Sequence, residues 1–147
     1  MTLIDKMCKE AMSLLEDKEL YKEEALKEAL KNIIRDENDE NHIKDCLMQC
    51  SLELTSQMEP KWQKIAANYY TIKLREQVKA NRGLKKDDNP YCNFYNFITD
   101  LTQRGLYGKY IIENYTKEDI EDLEKEIKPE RDFLFTYSGI NLLAKRY

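Results

Sequence analysis

The residues best suited to chemistry are one histidine and two cysteines spaced four residues apart. A helix would place His42, Cys46 and Cys50 along a single face. The outer two would lie about 12 Å apart at a rise of about 1.5 Å per residue, whereas zinc lies ~2.0–2.3 Å from each ligand. At most two of the three could share a metal ion, and no second Cys/His pair at a suitable spacing completes the set. We expect buried structural thiols here and no metal ligand.

Motifs for other common kinds of catalysis are also missing from the sequence. His42 is the single histidine and stands in an acidic segment, which is more typical of a helix start than of a general base. The four glycines are isolated, and none follows a strand and precedes a helix as in a phosphate-binding loop. The sequence therefore predicts no catalytic residue, no cofactor-binding residue and no bound cofactor.

Tyrosine is abundant, with ten residues in 147, and could serve a radical or a stacking role. Most of these tyrosines, however, recur at helical spacing among other apolar residues, as Tyr69, Tyr91, Tyr95 and Tyr110 do. Packing of the ring in the core, with a hydrogen-bonded hydroxyl, explains that pattern. We therefore predict a structural role for them.

The formal net charge of −4 conceals an asymmetry between the two parts of the chain. Residues 1–60 contain 8 Lys/Arg against 15 Asp/Glu, and residues 61–147 contain 16 against 13. Acidic residues interrupt the densest basic stretch, so we interpret it as a solvated helix end and predict no nucleic-acid partner. Its basic residues are Lys73, Arg75, Lys79, Arg82, Lys85 and Lys86.

Composition favours one helical domain. Charged residues make up 35% of the chain and hydrophobic residues 41%, and the few glycines and prolines all follow residue 59. No apolar run approaches the roughly 20 residues that cross a bilayer, and charges interrupt the N-terminus where a secretory signal would be apolar. We expect a cytoplasmic protein with reduced cysteines and no membrane partner.

Hydrophobic periodicity and capping residues predict helices along the whole chain. Thr2 and Thr116 are the expected N-caps of two of them, and Asp119 would complete a capping box with Thr116. An acidic break is expected at Asp36–Asn41. The predicted helices cover residues 2–16, 20–34, 40–57, 60–81, 90–104, 107–114, 116–127 and 138–147.

These segments predict an all-α fold, an irregular multi-helix bundle of about six to eight helices. A break is expected at Asp17 and Lys18, and Asn89 with Pro90 is expected to cap and open the fifth helix. Before the last helix, residues 131–137 are expected to form a turn or an extended entry. The buried faces are expected to include Leu20, Trp62, Val78 and Leu123.

Two stretches of the chain carry motifs that resemble a known family. The first begins at Trp62-Gln63-Lys64 and runs to Leu74-Arg75, and the second extends from Gly105-Leu106-Tyr107 to Tyr147. The second stretch includes Tyr115-Thr116, Arg131-Asp132 and Phe135-Thr136-Tyr137. In order and spacing they resemble the helical N-terminal region of the large (α) chain of class I ribonucleotide reductase, over roughly residues 40–147.

The resemblance implies a supporting role within a larger enzyme. In that family the helical region leads into an α/β barrel that reduces ribonucleoside diphosphates, together with a radical-bearing small subunit. The catalytic cysteines of the family lie beyond the point that matches Tyr147, and none of the four cysteines here falls in a matching motif. We expect a segment of the enzyme that is inactive alone, with the remainder of the large chain and the small subunit as partners.

The resemblance also predicts the domain order. Residues 1–38 are expected to form an N-terminal helical pair, a reduced or absent form of the family's ATP-binding cone, because they show no hairpin or Gly-containing basic motif. Residues 39–147 are expected to form the large-chain helical domain, cut before the barrel because apolar residues continue to Tyr147. The alternative hypothesis is a free-standing helical interaction module that binds a partner through its aromatic face.

Overall fold

The computed structural model describes residues 1–16 and 20–146, and in these ranges the chain is helical without any strand. The all-α prediction is therefore confirmed. Two short 3-10 helices cover Pro60–Trp62 and Pro129–Leu134. The α-helices are α1 (Leu3–Ser13), α2 (Glu23–Ile33), α3 (Glu40–Leu54), α4 (Gln63–Asn81), α5 (Phe94–Gln103), α6 (Tyr110–Asn114), α7 (Lys117–Glu126) and α8 (Tyr137–Arg146).

The chain divides into two compact units. The first comprises Met1–Leu74 with Phe133–Tyr147, and the second comprises Arg75–Asp132. In the first unit, α1, α2 and α3 pack against one another, so the N-terminal helical pair shares a core with α3. The expected domain boundary between residues 38 and 39 stays a prediction.

The core of the first unit is built from the apolar stripes of its helices. Trp62 is fully buried, as expected, and its ring meets that of Tyr21 edge to face at a centroid distance of 5.0 Å. Trp62 Nε1 donates a hydrogen bond to Glu59 Oε2 at 3.1 Å, which satisfies the indole inside the core. The other fully buried large side chains are Met7, Leu15, Leu26, Leu30, Ile43, Leu47 and Ile65.

Local hydrogen bonds set three helix starts, two of them at the expected N-caps Thr2 and Thr116 and the third at Asp39. Thr2 forms a capping box with Asp5 at the start of α1, and Thr116 forms one with Asp119 at the start of α7. Asp39 caps α3 by accepting hydrogen bonds from the backbone N–H groups of Asn41 and His42. The break at Asp36–Asn41 is thereby confirmed.

In the second unit α5 packs against α7, and Ile98 and Ile120 are its buried apolar side chains. The expected start of α5 at Asn89 and Pro90 is wrong. Asn89 Oδ1 instead accepts a hydrogen bond from the backbone N–H of Tyr91 in a turn, and the helix begins after Asn93, which has a φ of 56°. The left-handed conformation of Asn93 redirects the chain before α5 can start.

Some apolar side chains lie outside the core against expectation. Leu20, Val78 and Leu123 were expected to be buried but are exposed. The prediction failed because helical periodicity shows which residues share a face, but not whether another element covers that face. The break expected at Asp17 and Lys18 falls outside the described residues, as does Tyr147. Within the described ranges, no helix is both long and apolar enough to cross a membrane.

Candidate functional site

The histidine and cysteine row lies on α3, as the spacing predicted. His42 Nε2 accepts a hydrogen bond from the backbone N–H of Arg35 at 3.1 Å, and it lies 3.5 Å from Sγ of Cys46. Acceptance at Nε2 places the ring proton of the neutral imidazole on Nδ1. Within residues 1–16 and 20–146, no group of three or more His, Cys, Asp or Glu side chains is arranged to hold a metal ion. The imidazole links the end of α2 to the start of α3.

Burial controls the chemistry of the three thiols in the first unit. It raises the pKa of Cys8 to about 11 and that of Cys50 to about 12. Burial, followed by the charge of Asp45, also raises the pKa of Cys46. Because the thiolate is the nucleophile and the metal ligand, the raised pKa values make all three groups less reactive than an exposed thiol. The expected burial of Cys46 and Cys50 is confirmed.

The basic stretch makes many contacts within the chain. The guanidinium of Arg82 donates hydrogen bonds to the carbonyl oxygens of Pro90 at 2.5 Å and Cys92 at 2.7 Å, and it lies 4.4 Å from the ring centroid of Phe97. This side chain therefore organises the loop before α5. Intramolecular hydrogen bonds or ion pairs are also made by Lys73, Arg75 and Lys79.

A polar network that the sequence reasoning missed joins three side chains of the second unit. Arg75 donates to Oδ2 of Asp132 from Nε at 3.0 Å and from Nη2 at 2.8 Å, and Nη2 also donates to the carbonyl oxygen of Pro129. The hydroxyl of Tyr91 donates to Oδ1 of Asp132 at 2.8 Å. Burial, and then this hydrogen bond, raise the pKa of Tyr91 to about 12. The network fixes the segment around Pro129 on the C-terminal part of α4.

The tyrosines divide into two groups. Tyr69 is buried in the first unit as expected, but its hydroxyl has no hydrogen-bond partner among the described residues, so only the packing of its ring is confirmed. Tyr91 is half-buried in the network and its hydroxyl is hydrogen-bonded, so the structural interpretation is confirmed for it. Tyr95 is half-buried as well, with Lys117 Nζ 5.6 Å from its ring centroid. The expected burial of Tyr110 is wrong, because its side chain is 63% exposed.

An exposed apolar surface occurs near the C-terminal end of the described chain. Leu134 and Leu142 are 73% and 54% exposed, and Phe135 and Leu143 are each 40% exposed. The helix α8 contains no buried residue. Exposed leucine and phenylalanine at such density are typical of a surface that another element covers.

Comparison with known proteins identifies relatives of one kind. The chain is 35% identical over 109 residues to the ribonucleoside-diphosphate reductase subunit alpha of Treponema pallidum, covering 74% of this chain and 12% of that subunit. It is 30% identical over 122 residues to the same subunit of Enterobacteria phage T4, covering 83% of this chain and 15% of the phage protein. The subunit alpha of reductase 1 of Escherichia coli is 23% identical over 105 residues, 71% of this chain and 13% of that protein.

No family model matches the chain. The chain spans less than a sixth of the length of the relatives that it matches. The matches nevertheless agree in name and extend over most of its residues, which confirms the resemblance drawn from the motifs. By sequence, the chain is similar to ribonucleoside-diphosphate reductase alpha subunits over most of its own length.

Proposed function

We propose that this chain is the N-terminal helical domain of a ribonucleoside-diphosphate reductase alpha subunit and that it supports the catalytic barrel without catalysing the reaction. The observation that carries the proposal is the sequence identity of 35% over 109 residues to an alpha subunit that is several times longer. In the intact enzyme the domain serves the reduction of ribonucleotides to deoxyribonucleotides for DNA synthesis. Its partners are the remainder of the large chain and the radical-bearing small subunit.

The state of the thiols supports a non-catalytic role. Ribonucleotide reduction needs a thiol that can form a radical and a second pair of thiols that supplies two electrons. Cys8 and Cys50 are fully buried, and their pKa values are raised to about 11 and about 12. The charge of Lys27 acts to lower the pKa of Cys8, but burial outweighs it. All four cysteines are free thiols, which fits a cytoplasmic enzyme.

The exposed apolar side chains between residues 134 and 143 support a contact with the remainder of the large chain. A water-facing leucine or phenylalanine forgoes the roughly 1.5–3 kcal/mol that full burial of such a side chain contributes. An adjoining domain would recover part of this free energy. In the domain order that we propose, residues 1–38 are an N-terminal helical pair, which is a reduced form of the ATP-binding cone or stands where the cone is absent.

An activity measurement tests the proposal. The chain alone, supplied with a radical-bearing small subunit, a ribonucleoside diphosphate and a dithiol reductant, is expected to form no deoxyribonucleotide. Activity is expected when the downstream barrel is joined covalently or added in trans. Product formation by the chain alone, lost in Cys46→Ser or Cys50→Ser, would contradict the proposal.

A free-standing interaction module is the second candidate function, and the same exposed side chains favour it. Size-exclusion chromatography with a dye that binds apolar surface separates the two. A supporting domain isolated from its barrel is expected to bind the dye and to self-associate. A module is expected to be monodisperse and to bind little dye. Double substitution of Leu142 and Leu143 by serine should abolish the dye binding that a supporting domain shows.

A further inference from the structure

The ammonium group of Lys64 contacts three consecutive backbone carbonyl oxygens in the first unit. Lys64 Nζ lies 3.0 Å from the oxygen of Phe133, 3.3 Å from that of Leu134 and 3.1 Å from that of Phe135. An ammonium has three N–H donors and no acceptor, so these carbonyls engage its full donor capacity. Hydrogen bonds from a charged donor are about twice as strong as neutral ones.

Two further side chains of α4, Gln63 and Tyr70, contact Tyr137 at the end of the same segment. Gln63 Oε1 accepts a hydrogen bond from the backbone N–H of Tyr137 at 2.7 Å. The rings of Tyr70 and Tyr137 meet edge to face at a centroid distance of 5.9 Å. Residues 133–137, which we call the strap, are thus attached to α4 by a cation, an amide and an aromatic ring.

The strap leads directly into α8, whose residues are at most half-buried. No residue of α8 is buried, and Leu142 and Leu143 are 54% and 40% exposed. Helices in proteins are stabilised mainly by burial of an apolar face, and a ten-residue helix is marginal in water without it. The position of α8 therefore depends on polar contacts made by the strap.

We propose that Lys64 is the positioning residue of a latch that holds the strap and α8 on the start of α4. One charged group hydrogen-bonds to all three carbonyl oxygens, so loss of that charge removes a strong hydrogen bond from each of them. The strap is half-exposed, and water can replace the ammonium once the segment lifts. Removal of the charge therefore releases the strap and α8 while the core of α1, α2 and α3 stays folded. This inference does not depend on the proposed function.

Hydrogen exchange of the whole 147-residue chain, followed by mass spectrometry, tests the latch. Lys64→Met keeps the length of the side chain and removes its charge and donors. Amides of residues 133–146 are expected to exchange about tenfold faster or more in this variant, because hydrogen bonds to a charged group are lost. Amides of α1, α2 and α3 are expected to remain within about twofold of the wild type.

Lys73→Met is the matched control. Lys73 lies on the same helix and makes an exposed ion pair with Asp45 at 3.4 Å, so the same substitution there should leave exchange of residues 133–146 unchanged. Gln63→Leu, which removes the acceptor for Tyr137, is expected to loosen the first turn of α8. Unchanged exchange of residues 133–146 in Lys64→Met would overturn the latch. A uniform rise that includes α1, α2 and α3 would also overturn it, since Lys64 would then stabilise the whole unit.

Discussion

Cys8 and Cys50 have similar surroundings in the core, whereas Cys92 lies half-buried in the loop before α5. Burial raises the pKa of the first two to about 11 and about 12, so at pH 8 both are protonated as well as inaccessible. We predict that iodoacetamide at pH 8 alkylates Cys92 first. Peptide mass spectrometry should show modification of Cys8 and Cys50 only after denaturant is added. Alkylation of Cys50 as fast as Cys92 in the folded protein would contradict this expectation.

Trp62 is the largest fully buried side chain of the first unit. Trp62→Ala removes its ring from contact with Tyr21 and leaves a cavity, so the free energy of unfolding should fall by about 3–5 kcal/mol. Chemical denaturation followed by circular dichroism measures the change. Leu20→Ala is the control, because Leu20 is 72% exposed and its truncation should change stability by about 0.5 kcal/mol or less. A loss below about 1 kcal/mol for Trp62→Ala would mean that the indole is not in the core.

Asp132 joins Arg75 and Tyr91 in a half-buried network. Asp132→Asn removes the negative charge to which Arg75 and Tyr91 both donate hydrogen bonds, so we predict a loss of roughly 1–3 kcal/mol in the free energy of unfolding. Tyr91→Phe removes a single hydrogen bond and should cost about 1 kcal/mol. If the network acts as a unit, the double variant will lose less than the sum of the single losses. Additive losses in this double-mutant cycle would show that the contacts are independent.

The start of α7 illustrates how a helix is fixed by residues within one turn. Thr116 Oγ1 accepts from the backbone N–H of Asp119 at 3.2 Å, and Asp119 Oδ2 accepts from the backbone N–H of Thr116 at 2.8 Å. Thr116→Ala should lower the stability by about 1 kcal/mol, while Thr116→Ser keeps the hydroxyl and should cost much less. Equal losses in the two variants, measured by thermal unfolding, would show that the hydroxyl is not the cause.

The same box makes the stability of α7 depend on pH. The hydrogen bonds from Thr116 lower the pKa of Asp119 below its usual value. A carboxylate with a lowered pKa in the folded state stabilises it above the unfolded pKa, near 3.9, and this contribution disappears as the pH falls through the folded value. Asp119→Asn should therefore flatten the dependence of stability on pH below about pH 4. A profile identical to that of the wild type would exclude this contribution.

At the scale of the whole molecule, the described residues form two helical units. We predict no saturable binding of ATP or dATP at micromolar concentrations, because the chain lacks a glycine-rich phosphate loop and a complete cone pattern. Isothermal calorimetry on the full chain provides the measurement. A heat change that saturates with one nucleotide per chain would refute the prediction and would reopen a regulatory role for residues 1–38.

The helical periodicity of the sequence predicted the element types because that signal is local. Thr2 and Thr116, the two predicted N-caps, begin their helices through hydrogen bonds to residues three positions away. The burial of Trp62 also followed from the sequence, since a single large aromatic on an apolar stripe has few other uses. Asn89 was the exception, because its side chain forms a turn and the following residues delay the start of α5.

The contacts that define the strap and the polar network depended on tertiary structure alone. Lys64 meets carbonyl oxygens 69 to 71 positions away, and Arg75 meets Asp132 at a separation of 57. The position of a lysine or an arginine in the sequence does not indicate which distant oxygen its side chain will contact. The neighbouring residues look the same whether the side chain faces solvent or makes a hydrogen bond within the fold. By itself, the sequence determined the all-α class and the starts of α1 and α7, and its motifs carried the resemblance to reductase alpha subunits. Only the tertiary structure decided which charged side chains make hydrogen bonds within the chain and which apolar side chains stay exposed. Both outcomes depend on contacts between elements that are far apart in the sequence.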